Sequence, residues 1–173
     1  NNNKFHLVKA HALNFKIDID FNQISNELFF SELEIKAYTK KFNPPNTYSV
    51  IQPNPKTSYT PNKQWGINNY QEVVTQLKDI NWIQVGVDGD LILNDVENYV
   101  GITSLRELAL LIKNAEFVLA DEGLLNHIAS SVGSRSYVVY SGFLPTEISY
   151  YDGTISIVNN PQVECAPCWL KVN

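Results

Sequence analysis

Between Phe117 and Gly133 the chain reads FVLADEGLLNHIASSVG. An apolar run, Phe117-Val118-Leu119-Ala120, meets a polar break at Asp121-Glu122-Gly123, after which Leu124, Leu125, Ile128, Ala129 and Val132 recur at helical spacing. Strand, polar turn with a glycine, then helix is an arrangement that lays free backbone N–H groups at a helix start, where an anion can bind. His127 falls in the first turn of that helix, on the side able to face such an anion. Two plainer readings stand beside this one: Glu122 as a carboxylate favoured by the helix dipole, and His127 as a half-buried polar residue. The cysteines form a second motif, Cys165-Ala166-Pro167-Cys168. It supplies half of the roughly four ligands that a structural zinc site requires. A metal half-site, a disulfide and a structural pair all stay open, although nothing marks the chain as secreted. His6 and His11 have no partner pattern and read as structural or surface residues.

The elements that must position these residues follow from periodicity. The chain up to residue 46 reads as linker plus helix. It holds one or two helical turns with Phe5, Val8, Ala12 and Leu13 inward, then a helix from the capping box Ser31-Glu32-Leu33-Glu34 to about Phe42, ended by Asn43-Pro44-Pro45. From residue 47 strands and helices alternate. Strands are expected at Tyr48–Gln52, Trp82–Val87, Asn98–Val100, Phe117–Ala120, Tyr137–Tyr140 and Ile155–Val158. Helices are expected at Asn68–Lys78, after a second capping box at Ser104–Glu107, and from Leu124 to the stop at Gly133. This alternation predicts an α/β fold, a Rossmann-like parallel sheet with helices on both faces. Ligands in such sheets bind outside the carboxyl ends of the strands. That rule selects the loops 53–66, 86–90, 121–124 and 141–146.

Composition bounds the rest. At 173 residues, 44% hydrophobic and 18% charged, the chain has the make-up of an ordinary globular domain. A formal net charge of −5 without a basic run argues against nucleic acid as partner. No apolar run approaches the roughly 20 residues of a transmembrane helix. Methionine is absent even at position 1, as in a fragment or processed chain.

Three stretches carry a family resemblance: Lys63-Gln64-Trp65-Gly66 before a helix, QVGVDGD, and GITSLRELALLIKNAEFVLADEGLLNHIASSVG. Together they resemble the C-terminal half of the bacterial heptosyltransferases, glycosyltransferase family 9. The run from Gly101 to Gly133 is the most specific. The resemblance implies a GT-B architecture, with residues 47–173 as its nucleotide-sugar-binding domain and residues 1–46 as interdomain linker and helix. It implies that Lys63 contacts donor phosphate or sugar. It places the family's acidic residue on Glu122, the N–H groups meeting the pyrophosphate on Gly123 and Leu124, and the phosphate-side histidine on His127. Asp90, or less directly Asp88, falls near the ribose or base, and Thr103 and Ser104 are further nucleotide candidates, Ser104 being equally a helix cap. Outside the resemblance Lys63 reads as a solvated lysine, Trp65 as packing, and Asp88 and Asp90 as turn formers.

The function implied is donor binding for transfer of a heptose-like sugar to a glycan or lipid-linked glycan, as in lipopolysaccharide biosynthesis. The donor would be a nucleoside-diphosphate sugar, ADP-heptose first. No further cofactor and no metal are implied, and the location is cytoplasmic or peripheral at the inner membrane. The acceptor site and general base are expected from the N-terminal domain, which this chain lacks, so no catalytic residue is assigned here and the chain alone is expected to be inactive. A sugar-nucleotide epimerase half and a non-catalytic nucleotide-binding module are the alternatives.

Overall fold

The computed structural model describes residues 6–18, 26–54, 60–159, 164 and 166–167. Among these, six strands form one sheet: β1 (Ser49–Gln52), β2 (Trp82–Gln84), β3 (Glu97–Asn98), β4 (Val118–Asp121), β5 (Ser136–Tyr140) and β6 (Thr154–Val158). The order is β3-β2-β1-β4-β5-β6, and every pairing is parallel. Parallel neighbours need crossovers, and helices supply three of the connections: α3 (Ile67–Gln76) between β1 and β2, α4 (Leu105–Asn114) between β3 and β4, and α5 (Leu124–Val132) between β4 and β5. Two further helices, α1 (Leu7–Asn14) and α2 (Glu32–Lys41), precede the sheet.

Strands covered on both faces read as continuous apolar runs, and successive side chains enter opposite cores. Val50, Ile83, Val118 and Ala120 pack against α2, α4 and α5 through Tyr38, Phe42, Ala109–Ile112, Leu125, Ile128 and Ala129. Ile51, Trp82, Leu119 and Val139 face the other way, against Tyr70 and Val74 of α3. The Rossmann-like sheet with helices on both faces is therefore as expected.

Two local signals hold in atomic detail. Ser31 and Ser104 each accept the backbone N–H three residues on, and Glu34 and Glu107 reach back to the serine N–H groups. α2 lies against the sheet domain: Arg106 pairs with Glu34 at 2.7 Å, Lys41 pairs with Glu107 at 2.8 Å, and Tyr38 and Phe42 are buried. Other expectations shift. In α1 Ala12 is buried and Val8 half-buried, but Leu13 is 55% exposed, because the short helix touches the rest of the chain on a narrow stripe. Phe5 lies outside the described residues. The strand expected to reach Val87 stops at Gln84, whose buried amide donates to Leu91 O and accepts from Leu93 N, folding the following loop back on the strand end. Cys165 and Cys168 also lie outside the described residues. No helix among those described is long and apolar enough to cross a membrane.

Candidate functional site

The strand order reverses between β1 and β4, so the chains leaving these two strands diverge and open a crevice at their carboxyl ends. Two helices begin there. α3 follows β1 and α5 follows β4, and no side chain caps either start. The Asn69 N–H of α3 turns back to the Gly66 carbonyl at 3.1 Å, and the remaining first-turn N–H groups of the two helices meet no capping side chain, a concentration of partial positive charge. Gly66 opens α3 at φ 103°, a left-handed conformation that glycine adopts without strain.

Lys63 is brought into this crevice by the loop after β1. A short 3₁₀ turn, Pro61–Lys63, is capped by the Thr60 hydroxyl. Ser141, beyond β5, donates to the Lys63 carbonyl at 2.9 Å, and the Trp65 N–H donates to Asp121 Oδ1 at 3.2 Å. The Lys63 ammonium then meets Glu122 Oε2 at 2.5 Å, with side chains only 23% and 10% exposed. Lys63 is therefore a partnered, largely buried cation and not a solvated one. Trp65 packs edge-on against Tyr70 at 5.0 Å, as its packing reading expects.

Asp121 is the last residue of β4 and not part of the turn, and it is 4% exposed. Its Oδ2 and the Tyr70 hydroxyl both lack a hydrogen-bond partner. They are near enough to perturb each other electrostatically, but the geometry falls short of a hydrogen bond. Burial pushes the Asp121 carboxyl up to about 7, against the opposing pull of the Trp65 N–H, the Tyr70 hydroxyl and the Lys63 charge.

His127 sits in the first turn of α5. Burial pushes its imidazole below the ordinary histidine value; the Glu122 charge draws it up and the Lys63 charge pushes it down. Its Nδ1 lies 2.8 Å from the Tyr151 hydroxyl. Lys63, Glu122, Gly123, Leu124 and His127 thus share one end of the crevice. Together they offer a cation, a carboxylate, a neutral imidazole and free helix-start N–H groups, a set suited to an oxyanion that also carries hydroxyls.

Asp90 and Thr103 are placed elsewhere. Asp90 Oδ2 accepts the Val87 N–H at 2.9 Å and lies over Gly86, closing the turn after β2. The turn packs on Gly101, whose N–H donates to the Gly86 carbonyl, and Thr103 follows on that side. Neither residue shares a hydrogen bond or ion pair with Lys63, Glu122 or His127. Ser104 is engaged as the α4 cap. Sequence reasoning missed Asn126 and Tyr151. Asn126 is 1% exposed; it donates to Ser149 O and accepts from the Ser136 and Thr154 hydroxyls. It reads as a polar interruption in an apolar helix, and only the tertiary packing shows its use. His6, read as structural or surface, stacks edge-on against Tyr151 at 5.0 Å, whereas His11 is exposed.

Among the described residues no group of three or more His, Cys, Asp or Glu is placed to hold a metal ion. An open hollow of about 700 Å³ bounded by Lys113, Glu116, Phe117, Arg135 and Tyr137 lies at the amino ends of β4 and β5. That is the opposite end of the strands from the crevice.

Similar proteins share this fold. No curated protein matches the sequence. Among solved structures, the family 9 glycosyl transferase from Veillonella parvula DSM 2008 superposes with a TM-score of 0.68 at 14% identity, covering 89% of this chain and 49% of that one. E. coli ADP-heptose lps heptosyltransferase II gives 0.62 at 17% identity, covering 82% of this chain and 50% of that one. TibC, a heptosyltransferase of enterotoxigenic E. coli solved in complex with ADP-D-β-D-heptose, gives 0.57 at 17% identity, covering 74% and 34%. The chain thus spans about half the length of the first two. The family model described as glycosyltransferase family 9 (heptosyltransferase) matches residues 3–173, and the chain belongs to that family.

Proposed function

We propose that this chain is the donor-binding half of a glycosyltransferase that moves a heptose-like sugar from a nucleoside diphosphate to a glycan or lipid-linked glycan. The observation that carries the reading is the convergence of the Lys63–Glu122 pair, His127 and the uncapped start of α5 at the β1/β4 switch point. A nucleoside diphosphate brings negative charge, and more of it develops on the leaving oxygen as the glycosidic bond breaks. Lys63 and the first N–H groups of α5 are preorganised donors for that charge. Glu122, paired with Lys63, is free on its second oxygen to accept a sugar or ribose hydroxyl. His127, neutral at pH 7, donates a hydrogen bond without adding a charge.

The family membership supports a sugar transfer. The ADP-heptose held by TibC makes ADP-heptose the first donor to test. Asp90 is assigned to the ribose or base, and Thr103 to a further nucleotide contact. In this reading the charge is handled by Lys63 and the helix start, with no metal assigned, in the cytoplasm or at the inner face of the inner membrane. The acceptor and the general base that deprotonates it come from the other half of the enzyme, so this chain alone transfers no sugar. Residues 1–46 lead in from that half.

Calorimetric titration of the purified chain with ADP, UDP and GDP tests the reading. Saturable binding of one of them, weakened at least tenfold by Lys63→Ala, is expected. Binding that is indifferent to Lys63→Ala and His127→Ala would overturn it in favour of a remnant fold.

A further inference from the structure

His127 is buried enough to stay neutral, so the nitrogen that carries its proton decides what it can do. An Nε2–H imidazole offers a phosphate a hydrogen bond; an Nδ1–H imidazole turns a lone pair towards it. The tautomer is set by the group bonded to the other nitrogen. Here that group is the Tyr151 hydroxyl, 2.8 Å from Nδ1, with the two rings edge-on at 5.6 Å and 87°.

Tyr151 is 8% exposed, and its hydroxyl has His127 Nδ1 as its hydrogen-bond partner among the described residues. An O–H in that setting donates to Nδ1; the reverse assignment would leave the phenolic proton with no acceptor among the described residues. The His127 proton then resides on Nε2. That atom makes no hydrogen bond to the described residues and is not among the buried atoms lacking a partner. We propose that Tyr151 is a positioning residue: its phenol holds His127 in the Nε2–H tautomer, so that the imidazole meets the donor's diphosphate as a hydrogen-bond donor. This rests on the donor-binding reading above.

The surroundings of Tyr151 are built for the task. Its ring makes edge-on contacts with two imidazoles, His6 at 5.0 Å and 75° and His127 at 5.6 Å and 87°. His6 is itself tied down, its Nδ1 accepting the Val8 N–H as the cap of α1. The Tyr151 backbone exchanges bonds with Thr154, its N–H to Thr154 Oγ1 at 3.3 Å and its carbonyl from Thr154 N at 3.0 Å. Thr154 Oγ1 donates to Asn126 at 2.9 Å, and Asn126 donates onward to the Ser149 carbonyl. Asn126 immediately precedes His127, so this buried network joins the start of α5 to the segment that carries Tyr151. The charged and titratable groups acting on the imidazole are Glu122, Lys63 and His6.

The test begins without ligand. Long-range ¹H–¹⁵N correlation spectra of the histidine-labelled chain report the tautomer of each imidazole. His127 is expected as Nε2–H in the wild type and as a tautomer mixture in Tyr151→Phe, which keeps the ring and both stacking contacts. An Nδ1–H wild type, or an unchanged tautomer in Tyr151→Phe, overturns the proposal. Should that variant fail to fold, the wild-type spectrum alone decides. With ligand, Tyr151→Phe is expected to weaken ADP about fivefold, and in a His127→Ala background to have no further effect. A merely structural tyrosine would weaken ADP equally in both backgrounds. If the chain binds no nucleoside diphosphate, the donor reading falls while the tautomer result stands by itself, so the two failures are distinguishable.

Discussion

Asp121→Asn should make the protein more stable than wild type at alkaline pH, by an amount that grows with pH. The ordinary aspartate value is 3.8, and burial raises Asp121 to about 7 in the folded state. The folded protein therefore holds a proton that the unfolded chain releases. Between these values stability falls as pH rises, because the unfolded state binds fewer protons. The relative stabilisation is fully present below 3.8 and is lost as pH passes 7. A shift of roughly 3 units is worth about 4 kcal/mol in full, and of order 2–3 kcal/mol of it lies between pH 5 and pH 8.5. Asparagine is isosteric and neutral throughout. Its carbonyl keeps the bond from the Trp65 N–H. Urea unfolding of both proteins from pH 5 to pH 8.5 measures the difference, in which every other titrating group cancels to first order. A variant gaining about 2–3 kcal/mol on wild type across that range is expected. A gap independent of pH would refute the reasoning, since it would mean that Asp121 titrates near its ordinary value and is hydrated in the folded state.

Three further outcomes can be checked together. Lys63→Met leaves the Glu122 carboxylate without its partner at 10% side-chain exposure, a loss of about 1–3 kcal/mol by thermal melting. Adding Glu122→Gln should restore the melting temperature but not ADP binding, whereas recovery of both would reduce Lys63 to a structural role. Asn126→Leu removes the acceptor shared by the Ser136 and Thr154 hydroxyls and the donor to the Ser149 carbonyl, so about 3 kcal/mol is expected in urea unfolding. Ser104→Ala should cost about 1 kcal/mol as a lost helix cap and leave ADP titration unchanged, while Thr103→Ala should do the reverse if it contacts the nucleotide.

What could be read in the sequence was what is encoded locally. The capping boxes at Ser31 and Ser104 need only a four-residue window to be recognised, and both form as expected. The apolar runs of β1, β4 and β5 declare buried parallel strands because both their faces are covered. The order of those strands is a different kind of fact. β1 lies beside β4 because Val50 and Ile51 pair with Val118 and Leu119 across two intervening strands, and nothing local to either strand specifies that neighbour. The crevice exists only because of that pairing. The site divides the same way. Glu122, Gly123 and His127 announce themselves by standing at a helix start, and the resemblance supplies Lys63 from 59 residues away. Asp121, Asn126 and Tyr151 stayed hidden because each is a polar residue whose partners come from other elements: a loop N–H, two hydroxyls beyond the next turn, an imidazole 24 residues back. Burying such groups is costly unless every partner is in place. They therefore bind α5 to the loops at both of its flanks, so the helix start faces the crevice in one orientation. The residues that would touch a donor phosphate were legible by their chemistry, and the residues that aim them became legible only in the fold.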